Sequence, residues 1–366
     1  MKRVYLLLLF SVIFVACNKD NPAVDQQPAE AYGVDKIYAS VGDVETRVQL
    51  NGDFKTIWNT DDEITIFGPK EYSQWKFDGK TGDRSGSFSR LQTFEPMLDK
   101  VGKFYALYPG HGHLDYSTTT AANSELITAI QPVQTYVEGS YCPKSNVMLG
   151  SSEDGSAYYF KNLVAYLRLS LTGSKSVKRI DVMGNDNELL AGKLYVNCEN
   201  SSVSFRWDDV ETSQTISLDC GDGVQLSETP QDFYIVMPPM SFSHGITICV
   251  TFTDGSVFPR STSKYIDLQQ NNIKPMAVVE TDFDDWQNIY IYHSGNRVAM
   301  PQLTGASSMS GCIIWGDDNI SVLGGDTDYR YADGQQEHTI SVQIDGANTL
   351  QLNSCTGISR IDFSNF

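Results

Sequence analysis

Histidines are the first side chains of this sequence with the type and spacing for metal chemistry. His111 and His113 form a His-x-His pair, and Asp115 follows closely. If a strand turned both rings to one side, the pair would bind a metal ion. A glycine-rich surface loop explains the same residues, and the sequence favours that interpretation. No cysteine or carboxylate stands at ligand spacing from the other histidines, which are His244, His293 and His338.

Acidic side chains crowd one part of the C-terminal third. They are Asp317, Asp318, Asp326, Asp328 and Asp333. Calcium prefers several oxygens on one turn, but the EF-hand spacing is absent, so a solvated acidic loop is the favoured interpretation. A glycosidase needs two carboxylates at a set separation, and 45 acids guarantee chance pairs. With no nucleophile elbow, Walker loop, GxGxxG or HExxH motif, the sequence predicts no enzyme, cofactor or metal site.

Seven cysteines are scattered along the chain without a CxxC or other zinc spacing. Their density is far below that of a disulfide-stapled scaffold. Cys198 and Cys220 flank a predicted hairpin, and we consider them the best candidate disulfide.

The N-terminus carries the one strong targeting pattern. Lys2 and Arg3 precede an apolar run from Val4 to Val15, which is too short to span a membrane as a helix, and Ala16-Cys17 follows. This order resembles a bacterial lipoprotein signal. The resemblance implies a signal peptide over 1–16, cleavage before Cys17 and lipidation of Cys17, although Phe14 departs from the usual aliphatic residue. Acyl chains contribute about 0.8 kcal/mol per buried CH₂, so they would anchor the chain to the outer membrane.

The residues after Cys17 indicate where the protein goes. Lys19-Asp20 is similar to the surface-export signals of Bacteroidetes lipoproteins, and the proline-containing stretch 17–33 is typical of a lipidated, flexible tether. Removing residues 1–16 leaves 25 Lys and Arg against 45 Asp and Glu, a net charge of −20. Such an acidic surface argues against nucleic acid as a partner.

From Val34 onward the pattern predicts an all-β protein. Short apolar runs recur about every ten residues between Gly, Asn, Asp and Pro, and no stretch shows a long helical period. Tandem β-sandwiches are the natural architecture. Single aromatics in such strands, among them Trp58, Phe104 and Tyr108, are expected in the core, as are Trp75, Trp207, Trp286 and Trp315 rather than on a sugar-binding surface.

An ordered series of motifs resembles the fimbrillin-like proteins of Bacteroidetes. In the first part the series consists of Thr46-Arg47, Trp58, Asp61-Asp62, Ile64 to Phe67, Phe77-x-Gly79, Phe88, Phe104 to Pro109, Gln131 to Gln134 and Tyr159 to Leu169. In the second part it consists of Val177 to Val182, Leu190 to Leu194, Phe233 to Met240 and Asn271 to Pro275. The resemblance covers about residues 34–280. It implies two tandem transthyretin-like or fimbrillin sandwiches, over 34–172 and 173–281.

A third, small β domain is predicted over 282–366. Gly311 to Asp317, Tyr329-Arg330-Tyr331 and His338 to Val342 resemble small β-sandwiches on bacterial surface proteins, more loosely than the motifs above. We expect 18–281 to fold when expressed alone and the third domain to confer binding. The alternating tail from Ile358 to Phe366 is predicted as that domain's own last strand, the alternative being a strand exchanged between subunits.

The fimbrillin-like resemblance also implies a function. In such fimbriae, proteolysis after an early arginine removes the first strand and opens a groove for a neighbour's strand. Arg47 is the candidate for that processing, although a structural role inside its motif is favoured. The resulting hypothesis is a lipid-anchored cell-surface protein that forms the subunit, tip or anchor of a fimbria (pilus), or acts in cell adhesion. The alternative is a stand-alone surface lipoprotein that binds glycan or host protein through its C-terminal domain.

Overall fold

The structure is a computed structural model. It describes residues 35–42, 56–68, 72–93, 103–110, 119–121, 125–206, 212–282, 287–300, 302–317, 319–323, 328–332, 337–351 and 357–365. Strands dominate these ranges, with a short 3-10 turn at Pro143–Ser145, so the all-β prediction is confirmed. In this part of the chain, no helix has both the length and the apolar character needed to cross a membrane.

The strands fall into three units. The first half of the chain contains β1 Lys36–Val41, β2 Glu63–Phe67, β3 Tyr72–Phe77, β4 Ser85–Thr93, β5 Phe104–Tyr108, β6 Thr119–Ala121, β7 Glu125–Ile130, β8 Val133–Thr135, β9 Met148–Ser152 and β10 Ala157–Asn162. Then follow β11 Ala165–Thr172, β12 Ser176–Gly184, β13 Ala191–Asn197, β14 Ser202–Ser204, β15 Thr212–Ser213, β16 Thr215–Gln225, β17 Gln231–Met237, β18 Ser241–Phe242, β19 Ile246–Phe252, β20 Val257–Thr262, β21 Ile266–Asp267, β22 Ile273–Pro275 and β23 Val279–Glu280. The last part contains β24 Gln287–Ser294, β25 Arg297–Ala299, β26 Gln302–Ile314, β27 Ile320–Val322, β28 Asp328–Arg330, β29 Glu337–Gln351 and β30 Ile358–Asn365.

The first unit, here called the barrel unit, is a ring of seven strands in the order β1-β10-β9-β5-β2-β3-β4, closed by pairing of β4 with β1. Alternation within its strands turns one face inward, as period-two patterning requires. Trp58 fills the centre with no exposed surface, and its ring lies 5.0 Å from Phe88, 5.3 Å from Phe160 and 5.6 Å from Tyr108. Trp58 and Tyr108 are buried as predicted, whereas Phe104 is half-buried.

The second unit, the sandwich unit, packs three sheets around the largest apolar cluster of the described residues. The β19 sheet has the order β20-β19-β12-β16-β8, the β11 sheet has the order β17-β11-β22 with β23 also on β11, and the β13 sheet has the order β14-β13-β7-β6 with β15 on β13. Inner residues such as Leu167, Ile180 and Ile235 have no exposed surface. The layered core is that of a β-sandwich.

Strand pairing assigns β11 to the sandwich unit, although the sequence placed it at the end of the first domain. β11 pairs with β17, β22 and β23, and β7 and β8 pair with β13 and β16. Residues 165–167 and 169–171 are buried on both faces of β11, which is the environment of a central strand. A continuous apolar run shows that a strand is central but does not show which strands flank it. The limits 34–172, 173–281 and 282–366 as independent folding domains stay predictions.

The third unit, the C-terminal unit, is built on a sheet of order β27-β26-β29-β24-β30, with β25 paired to β28 beside it. Its core contains Trp315, Ile291 and Ile340, all without exposed surface. The tail forms β30, which pairs antiparallel with β24 of the same unit. The prediction that the tail is this unit's own last strand is confirmed.

Candidate functional site

Two residues of the predicted site, Cys17 and Arg47, lie outside the described residues, as do His111 and His113. The structure does describe the strand β1 that precedes Arg47 in the chain. The candidate site is therefore the place of β1 in the barrel unit.

β1 is the strand that closes the barrel. It pairs parallel with β10, through Tyr38 opposite Ala157, and antiparallel with β4, through Tyr38 opposite Ser87. The main chain is hydrogen-bonded on both sides: Tyr38 N–H donates to the carbonyl of Ser156 at 2.9 Å, and Val41 N–H donates to that of Arg84 at 3.0 Å. Without β1, β4 and β10 would become two facing edges with unpaired backbone groups.

The inward side chains of β1 plug the barrel core. Ile37, Ala39 and Val41 are 2%, 0% and 5% exposed, and they belong to the same cluster as Trp58 and Phe160. Their alternation with Lys36, Tyr38 and Ser40, which are more exposed, makes β1 a strand with one apolar face. Any replacement strand would need small or β-branched apolar residues at alternate positions. The groove of the first unit is thus filled by the chain's own strand.

Polar contacts at the surface of β1 are few and solvent-exposed. Lys36 Nζ lies 3.8 Å from Asp78 Oδ2, with the lysine side chain 56% exposed. The Arg84 guanidinium donates to the Val41 carbonyl at 3.3 Å. Surface ion pairs of this kind contribute little, typically about 0–1 kcal/mol. The strand is therefore held by its backbone ladder and by three apolar side chains.

The predicted disulfide between Cys198 and Cys220 is not formed. Both are free, buried thiols in the structure. Cys198 follows β13 of the β13 sheet, whereas Cys220 lies in β16 of the β19 sheet, so the residues do not flank one hairpin. Burial raises the pKa of each thiol to about 12. Neither thiol is a candidate nucleophile, because nucleophilic cysteines need a lowered pKa.

The aspartates considered for calcium are engaged by protein donors where the structure describes them. Asp317 accepts a hydrogen bond from the Tyr329 hydroxyl at 2.8 Å, and Asp328 forms an ion pair with Arg297, whose Nε lies 2.6 Å from Asp328 Oδ1. Asp318, Asp326 and Asp333 lie outside the described residues. Among the residues that were searched, no group of three His, Cys, Asp or Glu side chains is arranged to hold a metal ion.

The tryptophans that the structure describes are core residues. Trp75 is 2% exposed and donates from Nε1 to Ser73 at 2.8 Å; Trp315 has no exposed surface and donates to Ser321 at 2.8 Å. Neither ring is available for stacking on a sugar, as the sequence predicted. Trp207 and Trp286 lie outside the described residues.

A second feature, which the sequence did not reveal, is an open cavity of about 950 Å³ in the sandwich unit. It opens between β20, at one end of the β19 sheet, and the segment from Lys274 to Glu280 beside β11. Apolar side chains form its floor, namely Leu169, Ile246, Ile248, Phe258 and Ile266, and Tyr265 is 64% exposed at its margin. We call it the sandwich cavity.

Three cations also line the sandwich cavity: Arg260, Lys264 and Lys274, against a single acid, Glu280. This local excess of positive charge stands out in a chain whose net charge is −18. The signal in the sequence was weak, because the three cations are spread over fifteen residues and only the pairing of β19 with β20 and of β11 with β22 brings them together.

No protein-family model matches this chain, and no curated protein matches it. Solved structures do. A candidate cell adhesion protein of Bacteroides ovatus is similar at 13% identity and a TM-score of 0.41, over 68% of this chain and 92% of the other. One of Bacteroides uniformis is similar at 13% identity and a TM-score of 0.39, over 70% and 95%. The tip fimbrial protein Mfa3 of Porphyromonas gingivalis, with a C-terminal truncation, is similar at 9% identity and a TM-score of 0.29, over 66% and 94%.

The likeness is to fimbrial and cell adhesion proteins. These are proteins of the kind that the ordered motifs resemble, so the resemblance stated from the sequence is confirmed as a resemblance. All three similarities are distant. The functional proposal therefore depends on the geometry of this chain and on its own motifs.

Proposed function

We propose that this chain is a lipid-anchored cell-surface protein of the fimbrillin-like kind, and that it joins other fimbrial subunits by exchange of β1. The observation that carries the proposal is the position of β1. This strand fills a groove between β4 and β10, inserts three alternate apolar side chains into the core, and stands just before Arg47 in the chain.

The mechanism follows from strand pairing. Cleavage after Arg47 would break the covalent link between β1 and the rest of the barrel unit. The groove would then present two unpaired backbone edges and an apolar floor. A strand from a neighbouring subunit would restore the ladder through main-chain hydrogen bonds, and its alternate side chains would take the places of Ile37, Ala39 and Val41.

Anchoring is the second part of the proposal. Lipidation of Cys17 would hold the chain in the outer membrane, and the tether over 17–33 would separate it from the lipid surface. Substituting Cys17→Ala is expected to move the protein from the detergent phase to the aqueous phase in a phase-partition experiment. A wild-type protein already in the aqueous phase would contradict the anchor.

Strand exchange is tested with an arginine-specific protease on the purified full chain. Wild-type protein is expected to lose the segment ending at Arg47 and then to give an SDS-resistant ladder on unboiled gels. The Arg47→Ala variant should give neither. A second variant locks β1 in place: Tyr38→Cys combined with Ser87→Cys joins two residues that face each other across β1 and β4.

The locked variant separates cleavage from exchange. Oxidised, it should be cut after Arg47 yet remain a single band; reduced, it should form the ladder. A wild-type chain that is fully cut and still runs as one band would contradict the exchange mechanism. A ladder formed by the uncut or the locked protein would show that subunits associate through another surface.

The sandwich cavity favours a second candidate function, a surface lipoprotein that binds a ligand. Its apolar floor and three cations suit an anionic ligand with an apolar body, such as an acidic peptide. This places recognition in the sandwich unit rather than in the C-terminal domain that the sequence suggested. The double variant Arg260→Glu and Lys274→Glu should abolish adhesion to such a ligand without changing the ladder experiment. Unchanged adhesion would exclude the cavity.

A further inference from the structure

The outer face of the β19 sheet is covered by the C-terminal unit. Met183 of β12 and Cys249 of β19 form one buried cluster with Cys312 of β26 and with Ile320 and Val322 of β27. Val257 and Ile314 pack at its edge. The opposite face of β19, which carries Ile246, Ile248 and Val250, belongs to the sandwich core. The cluster is therefore the contact between two units that follow each other in the chain.

The thiols of Cys249 and Cys312 are in contact at the centre of this interface. Each residue has no exposed surface, and the two side chains lie within hydrogen-bonding distance of each other. Both are free thiols in the structure. The neighbours of Cys198 and Cys220 are of a different kind: Cys198 lies near Glu125 and Glu199, and Cys220 near Asp219 and Lys178.

Neighbouring groups do not give either thiol another role. Asp181 is 2% exposed and lies close enough to influence Cys249, but Arg179 Nε at 2.8 Å and the Ser217 hydroxyl at 2.5 Å occupy its carboxylate. No third sulfur or histidine contributes to a metal site in the searched part of the chain. Two thiols that touch inside an apolar interface have one plausible chemistry, which is oxidation to each other.

We propose that Cys249 and Cys312 form a disulfide that fastens the C-terminal unit to the outer face of the β19 sheet. The compartment in which it forms rests on the proposed function, because export removes the chain from the reducing cytosol.

The bond forms by thiol–disulfide exchange. One thiolate attacks the disulfide of an oxidant, such as an exchange enzyme or oxidised glutathione, and releases one thiol of that oxidant. The second thiolate then displaces the oxidant's other sulfur. Overall the two protein thiols lose two protons and two electrons, and the oxidant's disulfide becomes two thiols.

Burial sets the timing of this exchange. Desolvation raises the pKa of Cys249 well above that of a free thiol, with the contact to Cys312 adding to the effect, so the docked interface holds very little thiolate. The exchange therefore takes place while the C-terminal unit is undocked. Docking then closes the interface and shields the bond from reductants.

The bond would close a loop of 63 residues, from position 249 to position 312. That loop contains the connection between the sandwich unit and the C-terminal unit. A covalent link here keeps the two units docked even when that connection is pulled or cut, which suits a protein that works under load at a cell surface. Loop closure of this kind stabilises a fold by restricting its unfolded state.

The test uses the purified full chain, refolded with oxidised and reduced glutathione and then denatured in the presence of an alkylating agent. Digestion without reductant is expected to give a peptide containing Cys249 joined to one containing Cys312, two hydrogens lighter than the separate peptides. Reductant should separate them. It should also lower the melting temperature of the wild type and of the Cys220→Ala control, and leave that of the Cys249→Ala variant unchanged.

Recovery of both peptides in alkylated, separate form from a chain that is folded by circular dichroism would overturn the proposal. A bond from Cys312 to any other cysteine would overturn it as well. Surface accessibility to protease on intact cells, measured in parallel, reports on the proposed location alone. A chain found at the surface with both thiols reduced would refute the disulfide and leave the proposed function standing.

Discussion

The side-chain amide of Gln134 exchanges two hydrogen bonds with the main chain of Val236. Gln134 Nε2 donates to the Val236 carbonyl at 2.8 Å, and the Val236 N–H donates to Gln134 Oε1 at 2.9 Å. Gln134 has no exposed surface. It lies in β8 of the β19 sheet, whereas Val236 lies in β17 of the β11 sheet. One side chain thus acts as a strand neighbour and ties two sheets of the sandwich unit together.

Removing this amide should strongly destabilise the sandwich unit. In the Gln134→Leu variant both main-chain groups of Val236 lose their partners inside the protein. Each unsatisfied buried group costs about 1–3 kcal/mol, so the free energy of unfolding in urea should fall by about 2–5 kcal/mol. Gln131→Leu is the matched control, since the Gln131 amide nitrogen is buried without a partner. Equal losses in the two variants would show that glutamine volume, rather than the paired hydrogen bonds, matters.

The same contact shows how far the sequence carries. Gln134 and Val236 each lie in a motif that supported the fimbrillin-like resemblance, but 102 residues separate them, and nothing in the sequence indicates that the two motifs meet. Asn162 behaves similarly: its side-chain amide donates to the side chain of Asn271 at 3.0 Å and joins the barrel unit to the sandwich unit. Motif order predicted the all-β class and the strands, because periodicity and turn residues are local.

Long-range pairing was beyond the sequence for a physical reason. A strand's own pattern records which faces are buried but not the identity of its neighbours. β11 was therefore placed in the first unit, and Cys198 and Cys220 were paired across what is in fact two sheets. The contact of Cys249 with Cys312 and the cations of the sandwich cavity depend on the docking of separate elements, so they too needed the structure.

The barrel core should depend heavily on Trp58. The Trp58→Ala variant removes a side chain that has no exposed surface and contacts four aromatic rings. Large-to-small substitutions of this kind cost about 3–5 kcal/mol, measurable by urea unfolding followed by far-UV circular dichroism. Ile57→Ala is the control, since Ile57 is 39% exposed, and it should cost less than about 1 kcal/mol. A loss below 1 kcal/mol for Trp58→Ala would mean that the ring is not in the core.

Two glycines with nearly the same backbone conformation offer a matched test of steric fit at the edge of the sandwich cavity. Gly245 has a φ of +77°, and a Cβ there would meet the Thr262 carbonyl oxygen at 1.9 Å. Gly255 has a φ of +82° with nothing within 4 Å of such a Cβ. Gly255→Ala should therefore cost only the backbone strain, about 1–2 kcal/mol.

Gly245→Ala should cost clearly more than Gly255→Ala, since its methyl group must displace the main chain that follows β20. Thermal unfolding of the two variants side by side gives the comparison. If both lose the same stability, the end of β20 can yield without penalty, and its position is not fixed by Gly245.

The C-terminal unit should lose stability in mild acid through His293. Its imidazole is 2% exposed, pairs across strands with His338 and lies 5.9 Å from the Tyr331 ring. Burial is the main cause that lowers the pKa of His293 below its usual 6.5. The folded state therefore keeps the ring neutral at a pH where the unfolded state takes up a proton. Stability is complete above about pH 6.5 and falls as the pH drops towards the lowered folded pKa.

Urea unfolding between pH 5 and pH 8 measures this dependence. The His293→Phe variant should lose part of the slope, because it removes the group that must stay neutral. His244→Gln is the control: His244 is exposed beside Asp186, and its replacement should leave the dependence in the C-terminal unit unchanged. A slope that is the same in wild type and in His293→Phe would assign the acid sensitivity to other groups.

Removing the C-terminal unit should uncover the face that it protects. A chain ending at Asp282 keeps the whole apolar cluster of the sandwich unit but exposes Met183, Cys249 and Val257 to water. We expect it to unfold cooperatively, as the sequence predicted, at a lower melting temperature than the full chain. Cys249 should then react quickly with a thiol reagent under reducing conditions, whereas Cys198, buried away from that interface, should stay unreactive in both proteins. An aggregated truncation would mean that the C-terminal unit completes the sandwich unit, and a Cys249 that stays protected would mean that another element covers it.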